Sequence, residues 1–385
     1  MKSTGLCLIV LLFAAPLLAA VRQPDAADGQ AAAPDRGTDD GTVRFAVDCA
    51  KGETIGAALI RGRSARRLEI QFNGRCHESP VIDRDDLTLH GTGIGSAVLA
   101  GLIDVRGASR AFFSDFTIQG NPNLPFDTAH GGINAIGGAS IDVHRVHIKD
   151  MKARGLQVIG ASARIGDVTI DNAMAGAFVF RAGQIFLDGS LVANNSLFGM
   201  SLLYTGADAK KADLTFNNGL LGLLIQVNAS LEHVIGSLTT NGNAIGIVIA
   251  GHGVLAYSST VHVENNSQFG IQLDEGSAMT PLLGSLSGGP LLSVVNNPGV
   301  GVSVERNSTF GINLTSTITN NSVGVQVDNS FASLAEVTIS GNSQADVALT
   351  FGAKAEFVGP NVHLGTAVKC DATSVTRGVI GCGTN

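Results

Sequence analysis

From about residue 111 onward the chain repeats one short pattern of apolar and polar positions. FTIQGN (116–121), VHIKD (146–150) and VTIDN (168–172) each alternate apolar and polar residues and then reach an Asn or Asp. Alternation of period two marks a strand with one face buried. Phe116, Val146 and Val168 are therefore predicted to point inward with Ile118, Ile148 and Ile170, while Thr117, His147 and Thr169 face solvent. LTFNN, LTTNGN, VHVENN, LSVVNN, STITNN and VTISGN continue the theme. A second apolar run follows each corner: LQVIG, AFVFR, MSLLY, LLIQV, IVIAG, IQLDE, VSVER and VQVDN.

A small residue opens each second run, at Gly132, Gly155, Gly176, Gly199, Gly222, Gly246, Gly270, Gly301 and Gly324, with Asp346 in the last place. The steps between them are 23, 21, 23, 23, 24, 24, 31, 23 and 22 residues. Strand-built repeats of this length are coils of a solenoid. A leucine-rich repeat is excluded, because its consensus is absent and no segment after the strands has helical periodicity. The recurring corner residues Asn172, Asn195, Asn218, Asn243, Asn266, Asn297, Asn321 and Asn342 are expected to form one amide ladder, since Asn tolerates the left-handed backbone region.

GETIGAALIRG (52–62) reads as a short amphipathic helix over the open end, followed by the strands LEIQF, PVI and LTL. The passage from VDCAKGETIGAAL through IQFNGRCHESPVIDRDDLTLHGTG, with the Asn-cornered coils after it, resembles the bacterial exported right-handed parallel β-helix repeat proteins of the pectate-lyase-like superfamily. The resemblance spans roughly residues 43–385. It implies an all-β, single-stranded right-handed parallel β-helix with a short N-terminal capping helix. That superfamily holds lyases, glycosidases, epimerases, adhesins and non-catalytic scaffolds, so it leaves function open. No lyase or polygalacturonase catalytic signature is present, and no catalytic residue is carried over.

Residues 1–20 read as a signal peptide, with Lys2 before an apolar run; residues 21–42 read as a flexible leader and 43–385 as one body. Export to the periplasm or beyond is expected, with no membrane span in the mature chain. Beyond Cys7, four cysteines remain. Three pairings are formally open; Cys49–Cys76 and Cys370–Cys382 are favoured because each pair sits at one end of the array. With a net charge of -7 and 15% charged residues, the chain has no phosphate-tracking groove, so nucleic acid is not an expected partner.

One region breaks the repeat. Thirteen residues separate Ile118 from Gly132, against six between Ile148 and Gly155 and five between Ile170 and Gly176. The excess is a loop with Asp127 and His130, and long excursions from a regular scaffold often carry function. Asp150, Lys152 and Arg154 follow at the next corner. Alternation also predicts outward columns Asp115–Arg145–Asp167, Thr117–His147–Thr169 and Gln119–Lys149–Asp171. A glycosidase would need one of two carboxyls protonated, and Arg145 between Asp115 and Asp167 would keep both ionised. A uronate lyase or epimerase fits better: Arg145, Lys149 or Lys152 neutralises the sugar carboxylate and His147 takes the α-proton. Asp115, Arg145, His147, Lys149 and Asp167 are thus the candidate catalytic set, and Asp127, His130, Asp150, Lys152 and Arg154 the candidate substrate contacts. The competing account of the charged column is a cross-strand salt-bridge stack.

No metal or other cofactor is expected. His144 and His147 would point to different faces, which argues against zinc, and Arg145 among Asp115, Asp167 and Asp171 argues against calcium. Trp is absent, Tyr numbers two, and the 17 Phe sit mostly in apolar contexts. An acidic polysaccharide is the expected ligand; the alternative is a non-catalytic envelope or surface scaffold or adhesin.

Overall fold

The computed structural model describes residues 41–120, 131–282, 292–378 and 380–382. The expected signal peptide, nearly all of the expected leader, and Asp127 and His130 lie outside the described residues.

Each coil carries three strand segments. In one coil, Ser140–Lys149 bends at Arg145, and Arg154–Ile159 follows after a second corner. Residues before Arg145 lie on a first face, those after it on a second, and Arg154–Ile159 on a third. Strands of the first two faces form a 22-stranded sheet and those of the third a 13-stranded sheet. The chain winds as an all-β parallel solenoid. Ile118, Ile148 and Ile170 stand directly in register, as do Phe116, Val146 and Val168, and all six are buried. Residues some two dozen apart are thus vertical neighbours, with rungs about 4.8 Å apart.

The small-residue column has a steric cause. A Cβ on Gly222 would lie 2.5 Å from the carbonyl oxygen of Gly246, and one on Gly246 would lie 2.6 Å from that of Gly270. Backbone from the next coil occupies the space a side chain would need. Where the column ends, Asp346 replaces glycine and its carboxylate accepts from Asn342 Nδ2 and Thr366 N.

The corner asparagines divide between two positions, which corrects the expected single ladder. Asn172, Asn195 and Asn218 hold positive φ (56°, 52° and 57°) at the turn. Asn243, Asn266, Asn297, Asn321 and Asn342 are the next residue along and point inward, buried. There, Asn266 N and Nδ2 both donate to Asn297 Oδ1 (2.9 and 3.1 Å), and Asn297 repeats the pair onto Asn321 (both 3.0 Å).

At the N-terminal end, Thr42–Asp48 pairs with Arg67–Cys76, and a helix spans Ile55–Arg61. It is shorter than the expected 52–62, because Gly52 is left-handed (φ 84°) and Thr54 is the extended N-cap. The Glu78 carboxylate accepts from Ile55 N (2.7 Å) and Gly56 N (2.8 Å), satisfying two amides the helix leaves open. Burial raises the Glu78 carboxyl above its ordinary range against those bonds. Disulfides join Cys49 to Cys76 and Cys370 to Cys382, with Cα separations of 5.1 and 5.8 Å.

Candidate functional site

Asp115, Arg145 and Asp167 do stack, but not on a strand face. All three hold positive φ (66°, 50° and 57°) and form the first corner. Ser114, His144 and Gly166 pair before them, and Phe116, Val146 and Val168 after them. The corner consumes one residue and resets the alternation, which is why reading outward positions straight through it fails. Thr117 likewise is buried rather than solvent-facing.

Arg145 clasps one carboxylate, not two. Its Nε and Nη2 donate to Asp115 Oδ1 (2.6 Å) and Oδ2 (2.8 Å). That bond holds the Asp115 carboxyl below its usual range and the Arg145 guanidinium above its own. Asp167 instead accepts from Ser190 N and Oγ, both at 3.1 Å. Both arrangements recur elsewhere. Arg110 clasps Asp86 (2.5 and 2.7 Å), Arg306 clasps Asp274, and Asp213 accepts from Ser237 N (2.9 Å) and Oγ (2.7 Å). These are rung-to-rung ties of the scaffold. Nothing in their geometry sets Asp115, Arg145 or Asp167 apart as reactive groups.

The second face carries a different arrangement. His147 Nε2 lies 2.7 Å from Asp171 Oδ2, while Asn194 Nδ2 donates to Asp171 Oδ1 at 2.9 Å. A carboxylate only accepts, so Nε2 is the donor here, and in the neutral ring Nδ1 keeps its lone pair. Lys149 shares the rung of Gln119 and Asp171 and makes no hydrogen bond or ion pair among the described residues. His147 and Lys149 are both half-buried on this face.

The candidate substrate contacts do not gather around that pair. Asp150 is a second-corner residue (φ 57°), accepting from Asn172 Nδ2 (3.1 Å) and Gln119 Nε2 (3.4 Å). Lys152 follows it in the same corner. Arg154 lies on the third face, buried, with its guanidinium 3.8 Å from the Phe178 ring centre and Nη1 donating to Gln157 Oε1 at 2.5 Å. The three carboxylates weighed for calcium are held separately, by Arg145, by Ser190, and by His147 with Asn194. Among the described residues, the cluster Cys49, Cys76 and Glu78 has the proximity to hold a metal, but its two sulfurs are bonded to each other.

Sequence reasoning missed a recess on the first face. It is an open depression of about 320 Å³ lined by Arg110, Phe112, Asp142, Arg164 and Phe186 among others. Phe112, Asp142, Arg164 and Phe186 form one outward column. Phe113 and Ile141 beside them point inward and are buried. The signal was present in FFSDF: with a corner at Asp115, both Phe113 and Phe116 go inward and Phe112 is turned out.

Residues 101–283 match the family model for the right handed beta helix region. Over that stretch the chain is a right-handed parallel β-helix. No curated protein matches the chain in sequence. Among solved structures, this β-helix is similar to two mannuronan C-5 epimerase A-modules of Azotobacter vinelandii. Their identities are 15% and 14%, covering 84% of this chain and 95% and 94% of theirs, with TM-scores of 0.47 and 0.48. It is also similar to a periplasmic alginate epimerase, at 10% identity over 87% of this chain and 84% of that one, with a TM-score of 0.44. Among the described residues, no helix of the β-helix protein is long and apolar enough to cross a membrane.

Proposed function

We propose that the coils from Ala111 to Asn194 bind an acidic polysaccharide and process it by uronate lyase or epimerase chemistry. Removing the proton α to a uronate carboxylate needs a base within reach and a cation to stabilise the developing enolate. His147 is the base, with Nδ1 free of hydrogen bonds among the described residues, and Lys149 is the cation. The observation that carries this reading is the His147–Asp171 contact of 2.7 Å, because it orients the ring beside a lysine with no ion pair among the described residues. Asp171 acts through His147 as a positioning residue. The same reading takes residues 1–20 as a signal peptide, 21–42 as a leader and the helix Ile55–Arg61 as cover for the first coil. Two disulfides support residence in an oxidising compartment, the periplasm or beyond.

The test is incubation of the mature protein with alginate and pectic polymers, following unsaturated uronates by ultraviolet absorbance and C5 inversion by NMR. His147→Ala is expected to lower turnover roughly 10²-fold or more. Absence of any product and of any uronate binding by the parent protein would overturn the reading. A non-catalytic scaffold or adhesin is the second reading. It is favoured by the recurrence of the Asp–Arg and Asp–Ser ties at other corners, including Arg306 on Asp274 many coils away, and it predicts binding unchanged in His147→Ala and no turnover.

A further inference from the structure

The first-face recess is built from residues that the scaffold ties leave unexplained. Phe112 and Phe186 stand outward in one column, three rungs or about 14 Å apart. Phe186 keeps 37% of its surface exposed, in a position where a strand of this solenoid elsewhere places Asp208, Glu232 or Ser333. The Phe112 ring is braced from the side. It stacks on His144 at 5.7 Å between ring centres and 25° between planes, and His144 Nε2 is held 2.8 Å from Asp142 Oδ1. The aromatic face is therefore fixed before any ligand arrives.

Between the two rings lie Asp142 and Arg164. Arg110 at the rim is committed to Asp86 through two short bonds. Arg164 is not so committed. Its contact with Asp188 is 3.6 Å, beyond hydrogen-bond length, and both side chains are more than half exposed (53% and 58%). Such a pair adds little stability, so the guanidinium is free to turn to a ligand carboxylate, which it matches bidentately.

We propose that this recess is a binding subsite for a uronate oligosaccharide, resting on the reading above that these coils bind acidic polysaccharide. Sugar C–H faces pack on Phe112 and Phe186, Arg164 takes a ring carboxylate, and Asp142 accepts from hydroxyls. The combination of two aromatic faces, the Phe112 ring braced by His144, with a loosely held guanidinium favours a carboxylated sugar over a neutral one. Three of the lining residues sit three positions before the corner: Phe112 before Asp115, Asp142 before Arg145, Arg164 before Asp167. The recess is thus around one bend from His147 on the same coils, and it grips the chain without touching the reacting carbon.

Calorimetric titration of the mature protein with oligogalacturonate and oligomannuronate tests the subsite. Phe112→Ala or Phe186→Ala is expected to weaken binding roughly three- to tenfold, and Arg164→Ala to weaken uronate binding while leaving the thermal midpoint in place. Phe186→Leu keeps apolar bulk and controls for folding; it too is expected to lose affinity. Binding equal to the parent in all four variants overturns the subsite. If those variants weaken binding while His147→Ala and Lys149→Ala leave product formation unchanged, the subsite stands and the assignment of chemistry to His147 falls. If His147→Ala loses turnover while the recess variants keep full affinity, the chemistry stays with His147 and the subsite falls.

Discussion

The coils around Arg145 and those around Asn297 solve one problem with different chemistry. In both, polar groups at a turn must be satisfied and each coil must be locked over the next. Around Arg145 the ties are external and engage carboxylates: Arg145 forms an ion pair with Asp115, and His147 hydrogen-bonds to Asp171. Around Asn297 they are neutral and internal, an amide column from Asn243 to Asn342 that is almost wholly buried. The difference follows from dielectric. A buried charge carries a desolvation penalty of several kcal/mol even when paired, whereas an amide offers donor and acceptor to the coils on both sides without net charge. The ladder therefore carries stability, and the ionic coils are free to present groups to solvent and ligands.

The comparison is broken most directly at the ladder. Asn297→Ala removes the Oδ1 acceptor of both Asn266 N and Asn266 Nδ2 inside the core, while Asn321 Oδ1 keeps the backbone N–H of residue 297; at roughly 1–3 kcal/mol per buried group, we expect a loss of roughly 2 kcal/mol or more in chemical denaturation. A loss below 1 kcal/mol would mean that water reaches this column. Next is Gly246→Ala, whose new Cβ would lie 2.6 Å from the Gly270 carbonyl; a loss of roughly 1–3 kcal/mol is expected from overpacking, read in the same melts.

A smaller effect concerns His233, fully buried between the two regions. Its Nε2 donates to the Ala212 carbonyl (3.0 Å) and its Nδ1 accepts from Ser259 Oγ. Burial pushes its pKa down, while the Ala212 bond and nearby Asp213 oppose that. The unfolded chain therefore binds the proton more readily. Stability from this group is present above the ordinary His value of about 6.5 and is lost as pH falls through it toward the depressed folded value. Thermal midpoints measured from pH 7 to pH 5 should drop in the parent and drop less in His233→Gln.

The smallest change is expected for Arg145→Ala, an exposed tie with equivalents elsewhere on the rod. Its thermal midpoint should match the parent within scatter. A large loss of uronate turnover in this variant, with that midpoint unmoved, would restore Arg145 to the chemistry.

Coil repetition was legible because period two survives within each strand: Ile118, Ile148 and Ile170 could be aligned from sequence and do align. What failed was parity across a corner. A left-handed residue such as Asp115 or Arg145 uses up a position without facing either way, so alternation counted through it exchanges inside and outside. That slip hid Phe112 and Arg164, and it also merged turn asparagines such as Asn195 with inward ones such as Asn266. Nor could sequence tell that the Asp115–Arg145 tie repeats at Asp86–Arg110, since the linkage exists only once coils are stacked.

One coil is longer than its neighbours, with 31 residues from Gly270 to Gly301. Across it the pairing is undisturbed: Val261 and Val263 still meet Leu292 and Val294, and Phe269 and Ile271 still meet Val300 and Val302. In the sequence the surplus falls between the strands Ala278–Pro281 and Leu292–Val295, and the strands on both sides keep their register. Length added after Pro281 is therefore tolerated by the coils on either side, which makes that position a natural port for displaying epitopes or tags.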